Sequence, residues 1–191
     1  MTSAPRPLDG VKVVEFSHMV MGPTCGLILA DLGADVVKVE PASGGDNTRY
    51  LPGSGSGIFG TYNRNKRSVS VNLKSPEGLE FASRLVRESD VLIENFSAGV
   101  LERLGLGYEA MQKANPRLVY CALKGFLSGP YEQRVALDEV VQMMGGLAYM
   151  TGPEGRPLRA GASVNDVMGG LFGVVAIQAA LWERQRTGKG T

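Results

Sequence analysis

Short runs rich in β-branched residues alternate with longer amphipathic stretches along most of this chain. Residues 11–16 (VKVVEF) read as a first strand. Gly22-Pro23 then opens a helix through about Asp31, because proline is preorganised for a first helical turn and Gly33 suits the stop. Residues 35–40 (DVVKVE) form a second strand, and the short connections predict a parallel βαβ unit. Residues 68–73 (SVSVNL) alternate as a third strand, and Ser75-Pro76-Glu77 caps a helix through about Glu88. A fourth strand covers 90–94 (DVLIE), short helices cover 98–104 and 109–114, and a fifth strand covers 117–123. Strands alternating with helices predict an α/β fold: an open, doubly wound, mostly parallel sheet with flanking helices.

Two stretches stand outside that rhythm. Residues 44–67 are rich in glycine and serine and too long for a simple connector, so they read as a functional or mobile loop. The loop closes on Asn63-Arg64-Asn65-Lys66-Arg67, which is either a solvated basic run or a contact to phosphates. At the other end, a long apolar helix covers 167–186 and is followed by Thr187-Gly188-Lys189-Gly190-Thr191. Small residues at Gly169, Gly173, Ala176 and Ala180 mark a close-packing face of the kind membrane helices carry. Gln178 interrupts the apolar run, which falls short of the roughly 20 residues a span requires. It is therefore expected to be a buried core helix held tightly against a neighbour.

Composition narrows the function classes. Twenty Lys and Arg stand against 19 Asp and Glu, so the whole chain lacks the field that a nucleic-acid or membrane-surface partner would need. The two cysteines, Cys25 and Cys121, sit in apolar or small-residue settings and read as reduced and buried. The opening residues are polar and broken by proline rather than basic and then apolar, so a cytoplasmic location is expected. No metal site is expected, because one histidine and two scattered cysteines do not make a ligand set.

Candidate chemistry gathers at strand ends. The first turn, Ser17 to Pro23, carries one glycine where a dinucleotide fingerprint needs three, so a nicotinamide cofactor is not supported even though Glu40 ends the second strand. His18 lies at the carboxyl end of the first strand, where open α/β sheets place ligands, and reads equally as structural or as a contact. Asp166 precedes the apolar helix. As a bare residue it reads as an N-cap; held at a helix start it is also an ionised nucleophile candidate, with Gly169 and Gly170 leaving room for a ligand.

Several segments in the right order carry a resemblance. They are PLDGVKVVEFSHMVMGPTCGLILADLGADVVKVE, GDNTR, NRNKRSVSVNLKSPEG, DVLIENFSAGVLERLGLGYE, NPRLVYCALKGFLSGPY and GASVNDVMGGLFGVVAIQAALWERQRTGKG. From Pro7 onward the chain resembles the class III CoA-transferases, the family of formyl-CoA transferase and the carnitine and bile-acid CoA-transferases. The resemblance implies that Asp166 is the catalytic carboxylate. It implies coenzyme A contacts at His18, Val20 and Met21, at Val71, Leu73 and Lys74, at Asn95 and Phe96, at Arg103, and at Lys124, Gly125 and Phe126. Val20 stands where formyl-CoA transferase has glutamine, which argues against formate or oxalate, and Pro41 stands where it has a phosphate-binding base.

The activity this implies is transfer of coenzyme A from an acyl-CoA to a carboxylic acid through a covalent aspartyl intermediate. Arg156 and Arg159 lie near Asp166 in sequence and would suit a short dicarboxylate. α-Methylacyl-CoA racemases share the fold and place a histidine before the acid of the segment after the fifth strand. Here that segment reads Val135-Ala136-Leu137-Asp138, and without the imidazole a two-base proton exchange is hard to run. Family members are about twice this length and interlock as homodimers. Residues 1–191 thus correspond to the N-terminal part of the CoA-binding large domain, without the small domain and returning C-terminal segment. By itself such a piece is expected to be inactive.

Overall fold

The structure, a computed structural model, describes residues 4–191. Five strands, β1 (Lys12–Phe16), β2 (Asp35–Pro41), β3 (Arg67–Val71), β4 (Val91–Glu94) and β5 (Val119–Ala122), form one sheet in the order β3-β2-β1-β4-β5. Every pairing is parallel, with Val14 beside both Val37 and Leu92 at the centre. Sheets of this kind are covered on both faces, which is why β4 is apolar in three of four positions and buried throughout. The two-residue side-chain period divides the core. Val13, Val91, Ile93 and Val119 face one layer, built by α1 (Met21–Asp31) and α8 (Val164–Thr187). Val14, Phe16 and Leu92 face the other, built by α3 (Pro76–Arg87), α4 (Val100–Arg103) and α5 (Tyr108–Ala114).

The expected strands and their flanking helices are all present, and Ser75 caps α3 as its sequence suggests, its Oγ accepting the Gly78 N–H at 3.1 Å. Three helices were not foreseen: α2 (Ile58–Asn63), α6 (Asp138–Met144) and α7 (Leu147–Thr151). Residues 44–67 are accordingly an ordered excursion holding α2 and two 3₁₀ turns. Each cation of its basic run has an acidic partner, and Lys66 is buried while Arg64 and Arg67 stay exposed. Arg64 pairs with Asp31 at 2.5 Å, Lys66 with Glu15 at 2.7 Å and Arg67 with Asp35 at 2.5 Å, while Asn65 Nδ2 donates to Asp31 at 2.6 Å.

Helix α8 is longer than expected and only partly a core helix. Val174, Ile177 and Leu181 are buried, but Phe172 is 65% exposed and Trp182 76% exposed, and Leu171 and Val175 are exposed beside them. By length and composition it is apolar enough to cross a membrane, yet its inner face lies on α1. Gly169, Gly170 and Gly173 make close approaches and Ala180 packs on the core, whereas Ala176 faces outward. A methyl group at Gly170 would lie 2.6 Å from the Met21 carbonyl oxygen and 2.7 Å from Thr24 Cβ. Gly170→Ala should therefore destabilise the protein by about 1–3 kcal/mol in denaturant melts, despite the better helix propensity of alanine. Gly169→Ala should cost less, because its nearest neighbours are atoms of the flexible Met21 side chain. After the left-handed cap at Gly188 the tail turns beside β5, where Tyr120 N–H donates to the Thr191 carbonyl at 2.9 Å.

Both cysteines are free thiols, as expected, although Cys121 is only partly buried. Hydrogen bonding to Cys121 and burial push the Cys25 thiol far up, so it stays protonated.

Candidate active site

In an open parallel sheet the ligand crevice lies beyond the carboxyl ends of the strands, where the chain direction reverses. Here that point falls between β1 and β4, since β2 follows β1 on one side and β4 lies on the other. The turn leaving β1 occupies it. Met19 holds a left-handed backbone, φ 63°, which is unfavourable for a residue with a side chain and needs a surrounding that fixes it. Asn95, at the end of β4, does so with both amide atoms. Its Oδ1 accepts the His18 N–H at 3.0 Å and its Nδ2 donates to the His18 carbonyl at 2.8 Å. The His18 ring stacks on Phe96, centroids 5.8 Å apart. Gly22 is required next, because a methyl there would sit 2.4 Å from Ser17 Cβ.

Asp166 lies across the crevice in the first turn of α8. It is not the N-cap, a place taken by Ser163, so its carboxylate is free of the capping bond the sequence suggests. Its backbone N–H donates instead to Oδ1 of Asp138, the first residue of α6, at 3.0 Å. Gln142 Nε2, one turn further along α6, donates to the other Asp138 oxygen. Gln142 is itself locked: its Oε1 accepts the Ala160 N–H at 2.6 Å. A rigid, buried acid is thereby held against the residue that carries the candidate nucleophile. Burial and then the Asp138 charge push the Asp166 carboxyl up from 3.8 to about 6.

His18, Met19, Asn95, Asp138 and Asp166 line one cavity of about 580 Å³, within the range of ordinary small-molecule sites. It brings together Asp166 with His18, Val20, Met21, Asn95, Lys124 and Gly125 from the expected set. Met19, Ile58, Leu123, Val141, Met168 and Phe172 supply an apolar lining. The remaining expected residues lie outside the cavity. Val71 is buried at the end of β3, with Leu73 packed on the same core. Phe96 backs His18, and Phe126 packs against Tyr131. Lys74 is exposed in the turn after β3 and Arg103 is exposed at the end of α4, and neither has a salt-bridge partner among the described residues. Lys124 is turned away from the cavity's centre. Its ammonium pairs with Glu94 at 2.5 Å and donates to the Phe96 carbonyl at 2.6 Å.

The two arginines that suggested a dicarboxylate do not converge. Arg159 lines the cavity but pairs with Glu139 at 2.7 Å, whereas Arg156 is exposed and outside it. Asp138 and Gln142 are functional candidates that the strand-end reasoning passed over. In the sequence Asp138 enters only as the acid that follows Leu137 in the comparison with the racemases, and Gln142 has no signal beyond lying four residues further on, ahead of Gly145-Gly146.

The model of CoA-transferase family III matches residues 8–191. The chain belongs to that family. It is 43% identical to succinate–glutarate CoA-transferase of Agrobacterium fabrum, across 100% of this chain and 51% of the relative. It is 44% identical to formyl-CoA:oxalate CoA-transferase of Rhodopseudomonas palustris, across 97% of this chain and 45% of the relative. The structure of a CAIB/BAIF family protein from Brucella suis superposes with a TM-score of 0.92 at 44% identity, covering 98% of this chain and 52% of that one. The chain thus spans about half the length of the family III relatives it matches.

Proposed function

We propose that the protein to which this chain belongs transfers coenzyme A from an acyl-CoA donor to a carboxylic acid, with Asp166 as the covalent nucleophile. The observation that carries the reading is the placement of Asp166. It is a half-buried carboxylate with a raised pKa, opening a helix across the crevice from the β1 turn, in a chain of a CoA-transferase family. At pH 7 a carboxyl with a pKa of about 6 is roughly nine-tenths ionised, and the higher pKa makes its carboxylate a stronger nucleophile.

The chemistry runs in balanced steps. The Asp166 carboxylate attacks the thioester carbonyl, expelling CoA thiolate and leaving an acyl–aspartyl anhydride. The thiolate attacks the aspartyl carbonyl of that anhydride, which releases the donor acid as its carboxylate and leaves an aspartyl–CoA thioester. The acceptor carboxylate repeats these two steps in reverse order of roles, and Asp166 is regenerated. Splitting one exchange into four acyl transfers lowers each barrier.

Coenzyme A is assigned to the β1 turn (His18, Val20, Met21) and to Asn95, Lys124 and Gly125. Lys74 after β3 and Arg103 at the end of α4 suit its phosphates, and Val71, Leu73, Phe96 and Phe126 are assigned a supporting role. The named relatives act on succinate, glutarate or oxalate, which favours a dicarboxylate acceptor. We further assign residues 1–191 to a large domain that pairs with a small domain in a cytoplasmic homodimer. The full-length protein, incubated with a panel of acyl-CoA donors and acids and followed by mass spectrometry, should yield new acyl-CoA species. A protein that exchanges none of them fails the assignment.

Racemase chemistry should be absent. Leu137 stands where the proton-transferring imidazole would be, so solvent deuterium should not enter the α-carbon of a 2-methylacyl-CoA. Exchange that depends on Asp166 would contradict this.

A further inference from the structure

Beneath the β1 turn lies a closed set of four charged side chains that the proposed chemistry does not use. Glu15 on β1, Lys38 on β2, and Asp46 and Lys66 from the following loop segments are each at least 97% buried at the side chain. Two cations face two anions, so the set is neutral. Lys38 Nζ has three partners: Glu15 Oε1 at 3.3 Å, Asp46 Oδ2 at 3.0 Å and the Ser17 carbonyl at 2.6 Å. Lys66 Nζ also has three: Glu15 Oε2 at 2.7 Å, Asn63 Oδ1 at 3.1 Å and the Pro23 carbonyl at 2.9 Å. Each ammonium makes two hydrogen bonds, Lys38 to Glu15 Oε1 and the Ser17 carbonyl and Lys66 to Asn63 Oδ1 and the Pro23 carbonyl, and its third contact is a close ion pair to a carboxylate oxygen that has no hydrogen-bond partner. Gly26 of α1 makes room, because a methyl there would fall 1.9 Å from Glu15 Oε2.

The two carbonyls these lysines hold are informative. Ser17 and Pro23 flank the turn that carries His18, Met19, Val20 and Met21 into the cavity. Removing charges from water is costly, and apolar replacement of a buried pair is commonly neutral or stabilising, so stability alone does not account for the set. What it does is fix both ends of a strained turn.

We propose that Lys38 and Lys66 are positioning residues, which hold the β1 turn preformed in the shape that receives coenzyme A. The inference rests on the CoA assignment above. In the full-length protein, the neutral pair replacement Glu15→Gln with Lys66→Met should retain a thermal midpoint close to the parent. Its dissociation constant for CoA alone, by titration calorimetry, should rise at least tenfold, with the KM for the acid changing less than twofold. A folded double variant that binds CoA as the parent does would overturn the proposal. Lys38→Met should repeat the effect by releasing the Ser17 end of the turn.

A second measurement does not depend on the variants folding. In the ligand-free parent the His18 amide should exchange with solvent as slowly as amides of β1, and exchange at loop rates would refute a preformed turn. A parent that binds no CoA would sink the CoA assignment instead, while the exchange result would still decide whether the turn is held.

Discussion

Asp166→Ala in the full-length protein should lower turnover by about 10⁴-fold or more, the scale on which loss of a covalent nucleophile acts. The fold should not suffer. Asp166 caps nothing, and the bond from its backbone N–H to Asp138 survives the substitution. Its folded pKa lies above its unfolded value, so its favourable contribution is complete below about 3.8 and is lost as pH rises through about 6. Above pH 6 the ionised side chain is a burden on the folded state, and Asp166→Asn should therefore melt no lower than the parent at pH 7 to 8. A variant that is both inactive and markedly less stable there would assign Asp166 a structural role.

Asp138 should be second in effect. Asp138→Ala removes the acceptor of both the Asp166 N–H and the Gln142 amide, loosening the first turn of α8. Misplacement of a nucleophile by about 1 Å costs on the order of 10²-fold, and kcat should fall by at least that much. Asp138→Asn removes the charge while keeping an acceptor for the Asp166 N–H, though its amide nitrogen loses the bond from Gln142. With the like charge gone, the Asp166 pKa falls and the acid limb of the kcat/KM profile, expected near pH 6 in the parent, moves to lower pH. Burial is the larger cause of the elevation, so the limb should move by less than about one unit. A limb that moves upward, or stays fixed in a variant that remains active, would show that Asp138 does not tune Asp166.

The sheet was legible because its strands are buried on both faces. A run such as Val91-Leu92-Ile93 has few other places to go, and glycine and proline punctuate the ends of α1. Helices α6 and α7 were not: a turn or two of helix forms through tertiary contacts, and unlike α4 and α5, which sit between two legible strands, they lie after β5 with no strand following to frame them. The partners of the basic run at Asn63–Arg67 were hidden for a related reason. Its charges are answered by Asp31, Asp35 and Glu15, which lie 32 to 51 positions earlier and meet it only in the folded chain. Asp166 was located by its position before an apolar helix, but its setting was not. The acid beside it comes from a segment 28 residues upstream, and no local pattern announces that pairing.

The most direct test of the covalent role is to trap the intermediate. Full-length protein turning over an acyl-CoA in the presence of hydroxylamine should acquire a hydroxamate on the peptide containing Asp166, located by tandem mass spectrometry and absent without donor. Continued turnover with that peptide unmodified, or with the hydroxamate on another carboxylate, would contradict the account.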